Sequence, residues 1–368
     1  MKLTLCANST AFRLILVKRS RNSVGSAWGA FSRPDLVATL AACCLLAGLV
    51  MPLLRAGIVQ QSVACVDHLR RLGLAWQMYA EDNGGHLVNN YGVTDTMATI
   101  NATTYRTWAL NVLDWSTDRS NTNRLLIEKS RLFPYLGGDP TVFKCDADNY
   151  LSVAQRRAGW TERVRSYSMN AFLGRTTSAA NSQEVQGISA YAPEYRQFLL
   201  SSSIPNPAET VVFLDEHPDS INDGLFLNDP SIATQWIDFP GSQHDGGAGI
   251  SFADGSALIR RWSFPSTRKP VRYSFPINSN IPVAEREDYR WLARRLSVVH
   301  ATLGITQSED QLRFIWSQTP ANLVLQSSPA LTPADWTDLK ITPQRGLGQS
   351  VVTLPAPPES TVYRLLRR

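Results

Sequence analysis

A chain of 368 residues with 43% hydrophobic and 18% charged side chains is ordinary globular material, longer than one core usually organises and too apolar for extended disorder. Its formal charge of +5 sits at the front: Lys2, Arg13, Lys18, Arg19 and Arg21 all precede the first acid, Asp35, and residues 31–368 are neutral. A neutral body without a basic stripe argues against nucleic acid as a partner.

Leu36 to Leu54 is nineteen residues without a charge. As a helix it measures roughly 28 Å, close to the thickness of a bilayer core. A removable signal has a shorter apolar run, about 7 to 15 residues, so an uncleaved anchor is the better reading. Lys18, Arg19, Arg21 and Arg33 precede the run and Arg55 follows it. That asymmetry places the N-terminus in the cytoplasm and the rest beyond an inner membrane, in the periplasm or outside the cell.

The helical pattern continues past the run. Ile58, Ser62, Cys65, Leu69, Leu72, Trp76 and Tyr79 recur at steps of four and three, one stripe of an amphipathic helix, while Gln60, Asp67, Arg70, Gln77 and Glu81 fall elsewhere. Asp82-Asn83-Gly84-Gly85 supplies the stop.

Phe31 after a basic leader, Asp35 four residues on and Pro52 within the apolar run resemble the N-terminal helix of type IV prepilins and type II secretion pseudopilins. In this chain Ala30 stands where that family has a glycine before the cleavage point, Arg33-Pro34 precede the apolar run, and Asp35 replaces a glutamate. The segments Ala64-Cys65 to Gly84, Phe143-Lys144-Cys145-Asp146, Ser166-Tyr167-Ser168-Met169-Asn170 and Phe213-Leu214-Asp215-Glu216-His217-Pro218-Asp219 follow in order. They are similar to segments of the prepilin-like proteins of Verrucomicrobia and Planctomycetes, as is the closing H-x9-D-G signature of His244, Asp254 and Gly255.

The resemblance implies an α+β fold: a long N-terminal helix, half membranous and half amphipathic, packed on an antiparallel sheet. The corresponding organisation is a leader over 1–30, the helix over 31–86, a globular domain over 87–300 and a small β-sandwich over 301–368. It further implies a non-enzymatic pilin-like subunit of a type II secretion or type IV pilus-like apparatus. Its partners would be the lipid bilayer, like or related pilin subunits, and a prepilin peptidase acting between Ala30 and Phe31. In such assemblies the acid matching Asp35 pairs with a neighbour's terminal amine; Arg33 offers it a local partner instead. The alternative is an extracytoplasmic enzyme or ligand-binding protein that uses the helix as an anchor.

Asp254-Gly255 joins two strand-like runs, Gly249 to Ala253 and Ser256 to Trp262, as a two-residue hairpin. That register sets Ile250 against Ile259 and Phe252 against Ala257, an apolar face for the long helix. Asp254 is then a turn residue, and His244 is read as structural. Asp215, Glu216, Asp219 and Asp223 supply oxygen ligands for a hard cation such as calcium, which some pseudopilins bind; a solvated loop fits the same residues. No nucleophile elbow, H-E-x-x-H, Walker loop or C-x-x-C pair accompanies them, so neither a catalytic motif nor a resident cofactor is indicated.

Of the five cysteines, Cys65 and Cys145 are the pair that could meet in an oxidising space, as a disulfide or as two buried thiols. Their spacing suggests no zinc site. Thr141 to Phe143 reads as a strand ending at Cys145. Beyond residue 300, Arg313–Trp316, Leu323–Ser327, Trp336–Leu339, Ser350–Leu354 and Thr361–Leu365 read as short strands of an all-β module, preceded by a short helix over Asp288–Leu296. Its run LQSSP with a following Trp resembles the sandwich appended to exported verrucomicrobial proteins.

Overall fold

The structure is a computed structural model that describes residues 33–274, 280–299, 303–317, 323–346 and 349–367, with the helix side chains of residues 37, 39–44 and 60–82. The leader, with Ala30 and Phe31, lies outside these residues, as do the side chains of Asp35 and Pro52. The chain divides into two compact units, Met1–Leu54 and Arg55–Arg368.

Helix α1 spans Arg33–Asp82 and stops where the sequence places the cap: Gly85 N–H donates to Ala80 O at 2.7 Å, and Gly84 and Gly85 take positive φ. Within the first unit, the described side chains of Val37 and Leu40 are exposed. Most of the uncharged run falls outside the described side chains, and among the described residues no helix is long and apolar enough to cross a membrane.

In the second unit α1 behaves as its stripe requires. Cys65, Leu69, Leu72, Ala75, Trp76 and Ala80 are buried, while Asp67, Arg70 and Glu81 are exposed. These buried residues pack on a five-stranded sheet of β1 (Tyr167–Asn170), β2 (Val211–Asp215), β3 (Leu225–Phe226), β4 (Gly247–Phe252) and β5 (Ala257–Arg261), ordered β3-β1-β2-β4-β5. Short helices α2 (Val93–Asn101), α3 (Arg124–Glu128) and α4 (Val153–Arg157) lie in the long connection before β1.

The sheet is mixed rather than antiparallel. After β2 the chain makes a polar loop, skips β1 and pairs β3 parallel to the far edge of β1, Met169 opposite Leu225. A bulge between Val211 and Leu214 lets β2 send the consecutive residues Val212 and Phe213 to the α1 side and Val211 and Leu214 to the other. That other face is covered by α5 (Glu287–Ala293), through Tyr289, Leu292 and Ala293, together with Trp236 and Phe239.

The hairpin differs from its expected register by one residue. Ile250 pairs with Leu258 and Gly249 with Ile259. The connection holds three residues, Ala253 to Gly255: Phe252 N–H donates to Ser256 O, Gly255 N–H to Phe252 O, and Gly255 sits at φ +88°. This is the three-residue turn closed by a glycine in the left-handed region. Ala253 N–H is taken instead by Thr210 O at 2.9 Å, next to β2. A one-residue shift exchanges faces. Ile250 and Phe252 therefore join the α5 side, and Ala257 and Ile259 pack toward α1.

The C-terminal strands form two antiparallel sheets, one ordered β10-β11-β7-β6 and one β12-β8-β9, from β6 (Gly304–Ser308), β7 (Gln311–Ser317), β8 (Leu323–Ser328), β9 (Thr337–Asp338), β10 (Gln344–Gly346), β11 (Gln349–Pro355) and β12 (Val362–Arg367). Phe314, Trp316 and Val352 of one sheet and Leu325 of the other share a core, and the rings of Phe314 and Tyr363 meet at 4.6 Å. Strands β6 and β10 escaped the sequence pattern, since Gly304–Ser308 is exposed throughout. Thr141 to Phe143 is part of a 3-10 turn, Pro140–Phe143, because Pro140 opens it and the Asp139 carboxylate caps Thr141 N–H at 3.0 Å.

Candidate functional site

The five segments singled out in the sequence converge on one buried spot beneath α1. Cys65 comes from the helix stripe and Cys145 from the loop after the Pro140 turn. Tyr167 opens β1, Asp215 closes β2, and His244 lies just before β4. All five are 0–2% exposed.

Asp215 Oδ2 is the hub. It accepts from Gly249 N–H at 2.6 Å and from the Cys65 thiol at 3.4 Å, and lies 3.3 Å from His244 Nε2. Cys145 Sγ is 3.1 Å from the same Nε2, and Tyr167 O–H donates to Cys65 Sγ at 3.3 Å. His244 Nδ1 faces Ser62 Oγ at 3.2 Å. Two glycines make room. A β-carbon on Gly249 would stand 2.6 Å from Cys65 Sγ, and one on Gly241 would stand 2.8 Å from Asp215 Cβ.

Burial raises the Cys65 thiol, with the Cys145 contact and the Tyr167 hydroxyl pulling partly back, and pushes the Cys145 thiol well above its ordinary range. Burial opposes charge on His244, but its hydrogen bonds to Asp215 and Cys145 and the carboxylate's field outweigh that and bring it up to about 10.

Cysteine, histidine and aspartate in contact suggest a nucleophilic relay, and the geometry argues against one. A relay needs the acid on one ring nitrogen and the nucleophile on the other. Here Cys145 and Asp215 both address Nε2. What the group does offer is a ligand set: the nearest donor atoms of Cys65, Cys145, Asp215 and His244 all lie within 4.8 Å of one another. Both cysteines are free thiols, so of the two alternatives the sequence left open it is the buried thiol pair that is seen. A groove of about 820 Å³ lined by Ser62, Val66, Arg70, His244, Ile259 and Trp291 reaches the edge of the cluster.

Among the described residues the acids expected to share a cation do not form a ligand group of their own, and the loop that holds them is not solvated. Glu216, Asp219 and Asp223 are all buried. Glu216 accepts from Ser220 O–H at 2.7 Å. Asp219 accepts from Trp115 Nε1–H at 2.9 Å and Arg272 N–H at 2.6 Å, and Asp223 from Leu225 N–H at 2.9 Å. Burial raises Glu216 to about 8 and also raises Asp223. Asp254 is a turn residue: its carboxylate accepts from Ser256 N–H at 2.9 Å.

Arg165 belongs to none of the motifs visible in the sequence. It is fully buried beside these acids and donates to the carbonyls of Tyr167 and Asp223, each at 2.6 Å, and to that of Asn111 at 3.3 Å. Burial lowers it to about 10. Its position just before the Ser166–Asn170 segment was the available signal.

No family model, curated protein or solved structure matches the chain.

Proposed function

We propose that the protein is a non-enzymatic, pilin- or pseudopilin-like subunit, anchored in a membrane by α1 and belonging to a type II secretion or pilus-like apparatus. The carrying observation is the role of α1: residues 60–82 form the buried spine of a folded domain, on the same helix that holds the uncharged run Leu36 to Leu54. A helix apolar all round in one stretch and on a single side in the next suits a lipid or helix-packed environment followed by a globular load. The five family-like segments support the reading by meeting at one place. The cluster's burial and its shared Nε2 geometry favour a structural role over catalysis.

The test is assembly in cells. Crosslinking should trap multimers held through α1, with Asp35→Ala abolishing them, Asp35→Glu retaining them and membrane insertion unchanged. N-terminal sequencing of the mature chain should return Phe31. Equal crosslinking of wild type and Asp35→Ala, with an intact leader, would reduce α1 to an anchor and overturn the subunit reading.

A further inference from the structure

We infer that Cys65, Cys145, Asp215 and His244 form a closed, four-ligand site for a zinc ion that fastens α1 to the sheet. The four residues come from four separate segments, yet their donor atoms already sit close to metal-site spacing. Tetrahedral zinc with ligand bonds of about 2.0–2.3 Å sets neighbouring donors about 3.3–3.8 Å apart. The contacts are 3.1 Å for Cys145 Sγ to His244 Nε2, 3.3 Å for that nitrogen to Asp215 Oδ2, and 3.4 Å for Asp215 Oδ2 to Cys65 Sγ. No pair in the group exceeds 4.8 Å.

The donor chemistry selects the ion. Two sulfurs and an imidazole suit a borderline-soft cation, whereas calcium and magnesium want oxygen around them. Four protein ligands leave no open position, the mark of a structural rather than a catalytic zinc. Binding releases the thiol protons of Cys65 and Cys145 and any proton on His244 Nε2.

The surroundings are those of a built site. His244 is oriented by its other nitrogen on Ser62 Oγ, Cys65 Sγ receives the Tyr167 hydroxyl, and Asp215 Oδ2 receives Gly249 N–H. Outer contacts of this kind hold ligands in place at metal centres. Asp215 Oδ1 is buried without a hydrogen-bond partner. The groove at Ser62 and His244 provides a way in. The site does not depend on whether α1 anchors or assembles.

The test uses the full-length chain with Cys6, Cys43 and Cys44 replaced by serine. As purified it should carry equimolar zinc. After chelation, Co2+ should restore the visible bands of a tetrahedral site and a thiolate-to-cobalt charge-transfer band. Cys145→Ser should lose the charge-transfer intensity. Tyr167→Phe, which keeps every ligand, should weaken Co2+ binding about 10–100-fold and shift that band. A natively folded chain with neither zinc nor a tetrahedral cobalt spectrum overturns the proposal. So does a chain two hydrogens lighter than its reduced form, with Cys65 and Cys145 joined.

Discussion

A β-carbon on Gly249 would lie 2.6 Å from Cys65 Sγ and 2.5 Å from Leu69 Cδ1, so β4 approaches α1 at a distance that only a glycine allows. Gly249→Ala should therefore destabilise the fold by about 1–3 kcal/mol through overpacking. Gly73, on α1, is the contrasting case: its added methyl would meet Ser251 Cβ at 3.9 Å, ordinary contact, and alanine is the better helix former by about 1 kcal/mol. Denaturant midpoints should fall for the first variant and hold or rise for the second. The reverse order would mean that the helix and strand are not packed as described.

Arg165 holds the loop before β1 to the loop before β3 through three backbone carbonyls. Arg165→Met fills much of the volume but leaves those oxygens buried and the neighbouring acids without their cation. A loss of about 3–5 kcal/mol is expected, the range for removing one partner from a buried charged network. A loss below 1 kcal/mol, read from equilibrium unfolding, would contradict this role.

Burial raises the Asp223 carboxyl, with Leu225 N–H and Arg165 pulling it partly back. The folded chain thus keeps a proton that the unfolded chain has released. The contribution is fully present below the ordinary carboxylate range and is lost as pH rises from there through the raised folded value, by at most about 1.4 kcal/mol per pH unit. Asp223→Asn keeps an oxygen for Leu225 N–H and should flatten that slope. Urea unfolding between about pH 4 and 7 measures it, and identical slopes in the two chains would sink the assignment.

The buried thiols should be silent until the fold opens. Alkylation needs access as well as thiolate character, and both Cys65 and Cys145 are fully buried. Alkylation of the native chain without reductant should spare both, and after unfolding it should label both. Labelling of neither after unfolding would show a disulfide. Rapid native labelling would show an open site.

Whatever depends on local pattern was legible along the chain. The four-three recurrence from Ser62 to Tyr79 fixed which side of α1 is buried, because a helix repeats its face every 3.6 residues whatever it packs against. Asn83-Gly84-Gly85 fixed its end, and alternation with turn residues located most C-terminal strands. Tertiary structure decided the rest. Whether Asp254-Gly255 closes a two- or three-residue turn depended on Ala253 finding Thr210 O as a partner, and that one residue exchanged the faces of β4. Glu216, Asp219 and Asp223 read as a polar loop because acids are usually solvated, yet the loop crossing from β2 to β3 is covered and gives each its own donor. Cys65 and Cys145 were visible as a pair, but neither their spacing nor that of Asp215 and His244 indicates that four distant segments meet. Side-chain convergence across tens of residues leaves no local period in the sequence, and it arises when α1 docks on the sheet at Gly249.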